Sequence, residues 1–332
     1  MTAGEVSSME MEWRAMDVSI HGTLTSPGIN ECRALAVFVA GSGPTDRDWC
    51  SPLLPGSNGS ARLLAEELAL RGIASLRYDK MASGPHVMEN IPRFTGKISM
   101  QSHLAELRGA VNALASEMGQ DGRPMLALTN SEGAIHAVNY QLQAEGNRRF
   151  SGLILTGVPG RTVGDVARSQ LLAQGKSLPG IENMMKFYDE AIARFTSGES
   201  VEPDPSLPEG VRTLLRALEN PNNLPFSREL WSYSLPAHLS GLTEPLLVLI
   251  GKKDIQIDWN IDGKALEAAM SGSGNASFAY PDNANHVLKH EPLPLEELNA
   301  LYVSEHYNAD DSKLDEGALN SITGWIDSRF PA

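Results

Sequence analysis

Three residue types in loops that follow apolar runs are the part of this chain whose chemistry and spacing suggest a reaction. The first is Ser131, in Met125-Leu126-Ala127-Leu128-Thr129-Asn130-Ser131-Glu132-Gly133-Ala134-Ile135. Four apolar residues, a tight polar turn and a helix start follow one another there. A serine hydroxyl is a weak nucleophile at neutral pH. It needs a histidine to take its proton, a carboxylate to orient that histidine, and N–H groups aimed at the oxyanion. A strand-to-helix turn that presents such a serine requires small residues two positions before and after it. Gly133 meets this requirement, whereas Thr129 meets it only in part, so no strict G-x-S-x-G occurs. The competing reading is a serine that N-caps an ordinary helix, with Glu132 favourable in its first turn.

The remaining parts occur in a consistent order. Asp254 is the first carboxylate after the apolar run at 245–251, and Asp258 lies four residues further on. His286 follows the next strand, in Pro281-Asp282-Asn283-Ala284-Asn285-His286. His290 sits in an exposed-looking Lys-His-Glu-Pro context. The other six histidines fit less well: His21 lies in an edge strand pair, His103 and His136 lie within helices, and His86, His238 and His306 do not follow the last core strands. The backbone N–H of Glu132 is one candidate oxyanion donor. The second is the N–H of Ser42, with Gly43 next, in Gly41-Ser42-Gly43-Pro44-Thr45-Asp46-Arg47-Asp48. That loop is not a Walker A motif, because no Lys-Ser or Lys-Thr pair follows. It lacks the third glycine of a dinucleotide fingerprint, because Asp46 stands there.

These residues have to be positioned by regular elements. A strand with a central glycine at 18–24 and a turn at 26–28 predict an antiparallel edge pair. The continuous apolar run at 34–40 predicts a strand covered on both faces. Further strands are expected at 73–79, 125–128, 153–157, 245–251 and 276–280. Helices are expected at 60–71, 99–118, 134–144, 263–270 and 312–328, with loop at 81–97. This alternation implies a mainly parallel sheet with helices on both faces, an α/β fold. Between 161 and 240 only helical segments and proline-rich breaks occur, with the better helices at 184–195 and 211–218. That stretch reads as a helical insertion between two strands.

Composition narrows the function. The 332 residues are 42% hydrophobic and 20% charged, enough for a sizeable core. A net charge of −14 argues against a nucleic-acid partner. No apolar run is long enough for a membrane span and no signal peptide is evident, so a soluble cytoplasmic protein is expected. The two cysteines, Cys32 and Cys50, are expected to be free thiols.

Ser131, Asp254 and His286 fall in the chain order of α/β-hydrolases, each just past a different expected strand. The chain resembles that superfamily, and within it bacterial serine carboxylesterases. Ala40-Gly41-Ser42-Gly43-Pro44-Thr45-Asp46-Arg47-Asp48 resembles their H-G-S-G-P-x-D-R-D oxyanion loop, with Ala40 in place of histidine. Leu76-Arg77-Tyr78-Asp79-Lys80 resembles the segment after their fourth strand, and Asn130-Ser131-Glu132-Gly133 resembles an H-S-E-G elbow. Gly251-Lys252-Lys253-Asp254-Ile255-Gln256 resembles the acid turn and Asn285-His286-Val287 the histidine loop. The resemblance spans about 22 to the C-terminus and is weakest across 161–240. It implies an α/β-hydrolase core from 1–160 and 241–332, with 161–240 as a helical cap over the site. It also implies a small-molecule ester substrate of small to medium acyl chain and no metal or cofactor. The same triad serves thioesterases, acyltransferases and aminopeptidase-like hydrolases, and a non-catalytic binding protein can share the fold. Thr129 in place of glycine is expected to crowd the elbow, and Asn130 replaces histidine beside the nucleophile.

Overall fold

Apolar runs flanked by turn formers become the inner strands of one eight-stranded sheet, whose first two strands carry many polar residues. The computed structural model describes residues 6–27, 31–119, 122–144, 146, 148–175 and 180–331. In chain order the strands are β1 (Ser7–Ala15), β2 (Val18–Ser26), β3 (Ala34–Val39), β4 (Ile73–Tyr78), β5 (Met125–Asn130), β6 (Gly152–Thr156), β7 (Leu246–Leu249) and β8 (Ala276–Ala279). Their spatial order is β1-β2-β4-β3-β5-β6-β7-β8. β1, β2 and β4 pair antiparallel, and all pairs from β4 to β8 are parallel. The antiparallel edge pair is present, but its tight turn is Met16–Asp17, upstream of 18–24 and not at 26–28. Ala15 faces Val18 across it. Met16 turns the chain with φ 54°, a conformation that no glycine or asparagine announces there. Gly28 lies outside the described residues.

Every residue of β3, β4, β5 and β6 is buried, as expected for strands covered on both faces. Alternation along β3 divides the core. Leu35, Val37 and Val39 face one cluster, and Ala34, Ala36 and Phe38 face the other. α1 (Ser60–Ala69) covers the second cluster with Leu64 and Leu68. α2 (Val87–Phe94) lies in the stretch expected to be loop. Pro92 obscured it, but Val87, Ile91 and Phe94 are spaced for a short amphipathic helix, and Phe94 and Ile91 join the first cluster. α3 (Met100–Met118) begins behind Ser99, whose side chain accepts the Ser102 N–H in a capping box. It buries Leu104, Leu107, Val111 and Leu114. α4 (Gly133–Leu142) follows β5.

Between β6 and β7 stand α5 (Val163–Gly175), α6 (Ile181–Thr196), α7 (Glu209–Leu218), α8 (Phe226–Trp231) and α9 (Pro236–Leu239), with no strand among the described residues. α6 and α7 meet in a cluster of their own that includes Tyr188, Phe195, Leu215 and Trp231. α10 (Ile261–Ala269) precedes β8. α11 (Ala300–His306), which no sequence signal announced, is capped by Asn299. α12 (Glu316–Arg329) starts four residues later than expected because Asp315 caps it, accepting the Ala318 N–H at 2.9 Å. Cys32 and Cys50 are buried free thiols. Among the described residues no helix is long and apolar enough to cross a membrane.

Candidate active site

Strand order reverses between β3 and β5. β3 leads outward to β4, and β5 leads the other way to β6. In open α/β sheets the crevice beyond the carboxyl ends of two such strands is where ligands bind. The loop after β3 carries Gly41 and Ser42, and the turn after β5 carries Ser131.

Ser131 has φ 53°, in the left-handed region that side chains other than glycine and asparagine seldom adopt. Its N–H donates to Thr156 O at 2.8 Å, which ties the turn to β6. Gly133 is where space runs out, since a Cβ there would lie 2.3 Å from Val39 O. Thr129 does not crowd the turn. Its hydroxyl donates to Ile154 O at 3.2 Å, and its own carbonyl accepts the Thr156 hydroxyl at 2.6 Å. The side chain is held against β6, away from the helix crossing.

Asp254 is buried. Its Oδ1 accepts the N–H groups of Gln256 at 2.8 Å and Ile257 at 2.9 Å, and His286 Nδ1 donates to its Oδ2 at 2.8 Å. A neutral ring donating from Nδ1 leaves Nε2 free to accept a proton. Asn130 stands beside the serine and donates from Nδ2 to His286 O at 2.9 Å. Gly157, with φ 54°, leaves room for the ring, and a Cβ there would lie 3.1 Å from His286 Cε1. Among the described residues no hydrogen bond joins Ser131 Oγ to His286. Such bonds commonly close only around substrate. Asp258 instead lies in the turn that leads into α10, accepting the Asn260 and Ile261 N–H groups at 2.9 and 3.0 Å. His290 is half-exposed and stands 3.3 Å from Asp315.

The loop after β3 is tied down by ion pairs. Arg47 holds Asp79 through Nε at 3.0 Å and Nη2 at 2.7 Å, and its backbone N–H donates to the same carboxylate at 2.8 Å. Arg77 pairs with Asp48. Asp46 accepts the N–H groups of Asp48 and Cys50, both at 2.9 Å, while burial pushes its carboxyl up to about 6. Lys80 donates to Gly41 O and stands 3.4 Å from Glu132 Oε1. His136 Nε2 is 3.1 Å from that same oxygen. Burial alone would raise the Glu132 carboxyl, but Lys80 and His136 outweigh it and hold the group well below the usual carboxylate range. Burial, with His103 nearby, lowers His136 to about 4, so its ring is neutral at pH 7.

A cavity of about 380 Å³ opens at this point, and Ser42, Gly43, Ser131, Glu132 and His286 all line it. α5 contributes Val163 and Val166, and the end of α11 brings in Tyr307 and Asn308. Of the eight expected residues and alternatives, five therefore line one wall, and Asp254 stands behind it, bonded to His286. Asp258 and His290 lie elsewhere. The hydrogen bond from Asn130 to the histidine loop, the space left by Gly157 and the wall from Tyr307 had no sequence signal beyond position. Among the described residues no His, Cys, Asp or Glu side chains group as a metal site.

Neither a family model nor a curated protein matches this chain. Solved structures do match it. An esterase of Pyrococcus furiosus superposes with TM-score 0.52 at 16% identity, over 85% of this chain and 83% of that one. The 2-hydroxy-6-oxo-6-phenylhexa-2,4-dienoate hydrolase of a Rhodococcus species gives TM-score 0.52 at 15% identity, over 99% and 100%. A proline iminopeptidase of Mycobacterium smegmatis gives 0.50 at 13% identity, over 84% and 92%. The mostly parallel eight-stranded sheet with helices on both faces is the α/β-hydrolase fold.

Proposed function

We propose that this protein is a serine hydrolase, and within that class a carboxylesterase acting on esters of small to medium acyl chain. The observation that carries the proposal is the convergence on one cavity of Ser131, the His286–Asp254 pair and the Ser42–Glu132 backbone. Ser131 Oγ attacks the ester carbonyl carbon while His286 Nε2 takes the hydroxyl proton. Asp254 holds the ring and stabilises the imidazolium. The N–H groups of Ser42 and Glu132 hold the carbonyl oxygen as it becomes an oxyanion. Collapse breaks the ester C–O bond, and the departing alcohol takes the proton from His286. Water then attacks the acyl-enzyme with His286 again as base, releasing the acid and restoring Ser131. The mechanism uses no metal or cofactor.

We assign the five helices between β6 and β7 as a cap. α5 forms part of the cavity wall, and Arg161 ties the start of the insertion to α10 through Asp262 at 3.0 and 2.9 Å. A cavity of this size under a cap favours short acyl chains.

The test is hydrolysis of a p-nitrophenyl ester chain-length series. Ser131→Ala is expected to lower kcat by at least about 10⁴-fold and to abolish labelling by a fluorophosphonate. Undiminished activity in the variant would remove Ser131 as nucleophile. A wild-type protein inert to every ester and unlabelled would point to a binding role for the fold.

A further inference from the structure

We propose that Lys80 is a positioning residue that holds the Gly41–Ser42 peptide and Glu132 in the orientation an oxyanion hole requires. The inference rests on the Ser131 esterase reading. Lys80 follows β4 and is buried, its side chain 5% exposed, and it makes two contacts: it donates to Gly41 O and stands 3.4 Å from Glu132 Oε1. Each contact bears on one of the two proposed oxyanion donors.

Gly41 O and the Ser42 N–H belong to the same peptide unit. In a planar trans peptide the C=O and N–H point in opposite directions. With the oxygen fixed on Lys80, the N–H points away from Lys80. Ser42 lines the cavity with Ser131, and Lys80 is not among the residues of that wall. The N–H is therefore turned to the cavity side. Without such a clamp the peptide is more readily inverted, because the rotation runs through ψ of Gly41, a residue with no Cβ to restrict it. An inverted peptide would put a carbonyl oxygen where the oxyanion forms.

The second contact concerns charge. Glu132 supplies the other N–H and carries a buried carboxylate on the same residue, 3% exposed at the side chain. Unpaired, that charge would oppose the negative charge developing at the adjacent site. The Lys80 ammonium offsets it, and the two contacts join the loop after β3 to the turn after β5 across about 90 residues of sequence.

A buried ion pair with a merely structural role would change stability and leave the partition between kcat and KM alone. Lys80→Met is expected to lower kcat on a p-nitrophenyl ester roughly 10- to 100-fold with KM within about twofold. Affinity for a trifluoromethyl ketone, which adds to the serine and presents an oxyanion, is expected to fall by the same factor. Affinity for the isosteric secondary alcohol, which presents none, is expected to hold. Should Lys80→Met fail to fold, Lys80→Gln keeps a neutral donor for Gly41 O and is expected to give a smaller loss with the same pattern. Wild-type kcat in a folded Lys80 variant, a change in KM alone, or ketone and alcohol weakening together would overturn the role of Lys80. Ser131→Ala is measured beside it: if that variant stays active, the esterase reading itself fails, whatever Lys80 does.

Discussion

Ser131 at φ 53° holds a conformation that costs of order 1–3 kcal/mol and persists because its surroundings enforce it. The Ser131 N–H is bonded to β6 and Gly133 is pressed on β3. Around it, two residues can be separated by experiment. Asp254→Asn is expected to lower kcat about 10³- to 10⁴-fold, because the amide cannot hold His286 in the tautomer with Nε2 free. Asp258→Asn keeps a side-chain acceptor for the start of α10 and is expected to leave kcat within about twofold. Equal losses in the two variants would show the acid to be wrongly assigned. Asn130 acts one step further out. Asn130→Ala removes the donor to His286 O and is expected to reduce kcat by roughly 10-fold, with a stability loss near 1 kcal/mol. A variant with wild-type kcat would show that Asn130 does not place the histidine loop.

The element that sets the elbow is α4, which crosses β3 at Gly133. A Cβ there meets the Val39 and Ala40 carbonyl oxygens at 2.3 and 2.8 Å, both backbone and unable to rotate away. Gly133→Ala is expected to cost about 1–3 kcal/mol in urea unfolding and to depress activity as the helix is pushed outward. An unchanged midpoint would mean the crossing is looser than the geometry shows. Thr129, the residue expected to crowd this turn, is absorbed by hydroxyl bonding along β6. The sequence rule asks for small residues on both sides of the serine, and here only the helix side is tight. α2 shows the opposite lesson: Pro92 reads as a breaker, yet three spaced apolar residues bury enough surface for two turns to form.

At the scale of the molecule, stability depends on pH through the clamped loop. Burial raises Asp46 from 3.8 to about 6. Between about pH 4 and 6 the folded chain therefore keeps a proton that the unfolded chain has lost. The stabilisation this gives is complete below about pH 4 and is lost as pH rises through 6. Asp46→Asn keeps the acceptor for Asp48 and Cys50 without titrating. Its stability relative to wild type is expected to rise between pH 4 and 7 and to level off above. Urea titrations at several pH values check this, and a constant difference would show that Asp46 titrates as an ordinary carboxylate.

The sequence by itself determined the alternating strands and helices, because strands buried on both faces must be written as unbroken apolar runs. It also placed Ser131 and Asp254 in loops that begin where such a run ends, and His286 in the loop after the short, half-buried β8. The helices at 184–195 and 211–218 were legible for the same reason, since α6 and α7 bury one periodic face. Local signals could not place the edge turn at Met16, where an ordinary residue takes a positive φ. Chain order favoured Asp254 as the first carboxylate after β7 but left Asp258, four residues on, as a substitute. Only the tertiary structure shows which of them meets His286, Asp254 at 2.8 Å, because that distance depends on how two loops fold over the sheet edge. The Lys80–Gly41–Glu132 contacts are of the same kind. Their three residues come from the ends of β4, β3 and β5, and parallel strands separated by whole helices meet only once the sheet has formed.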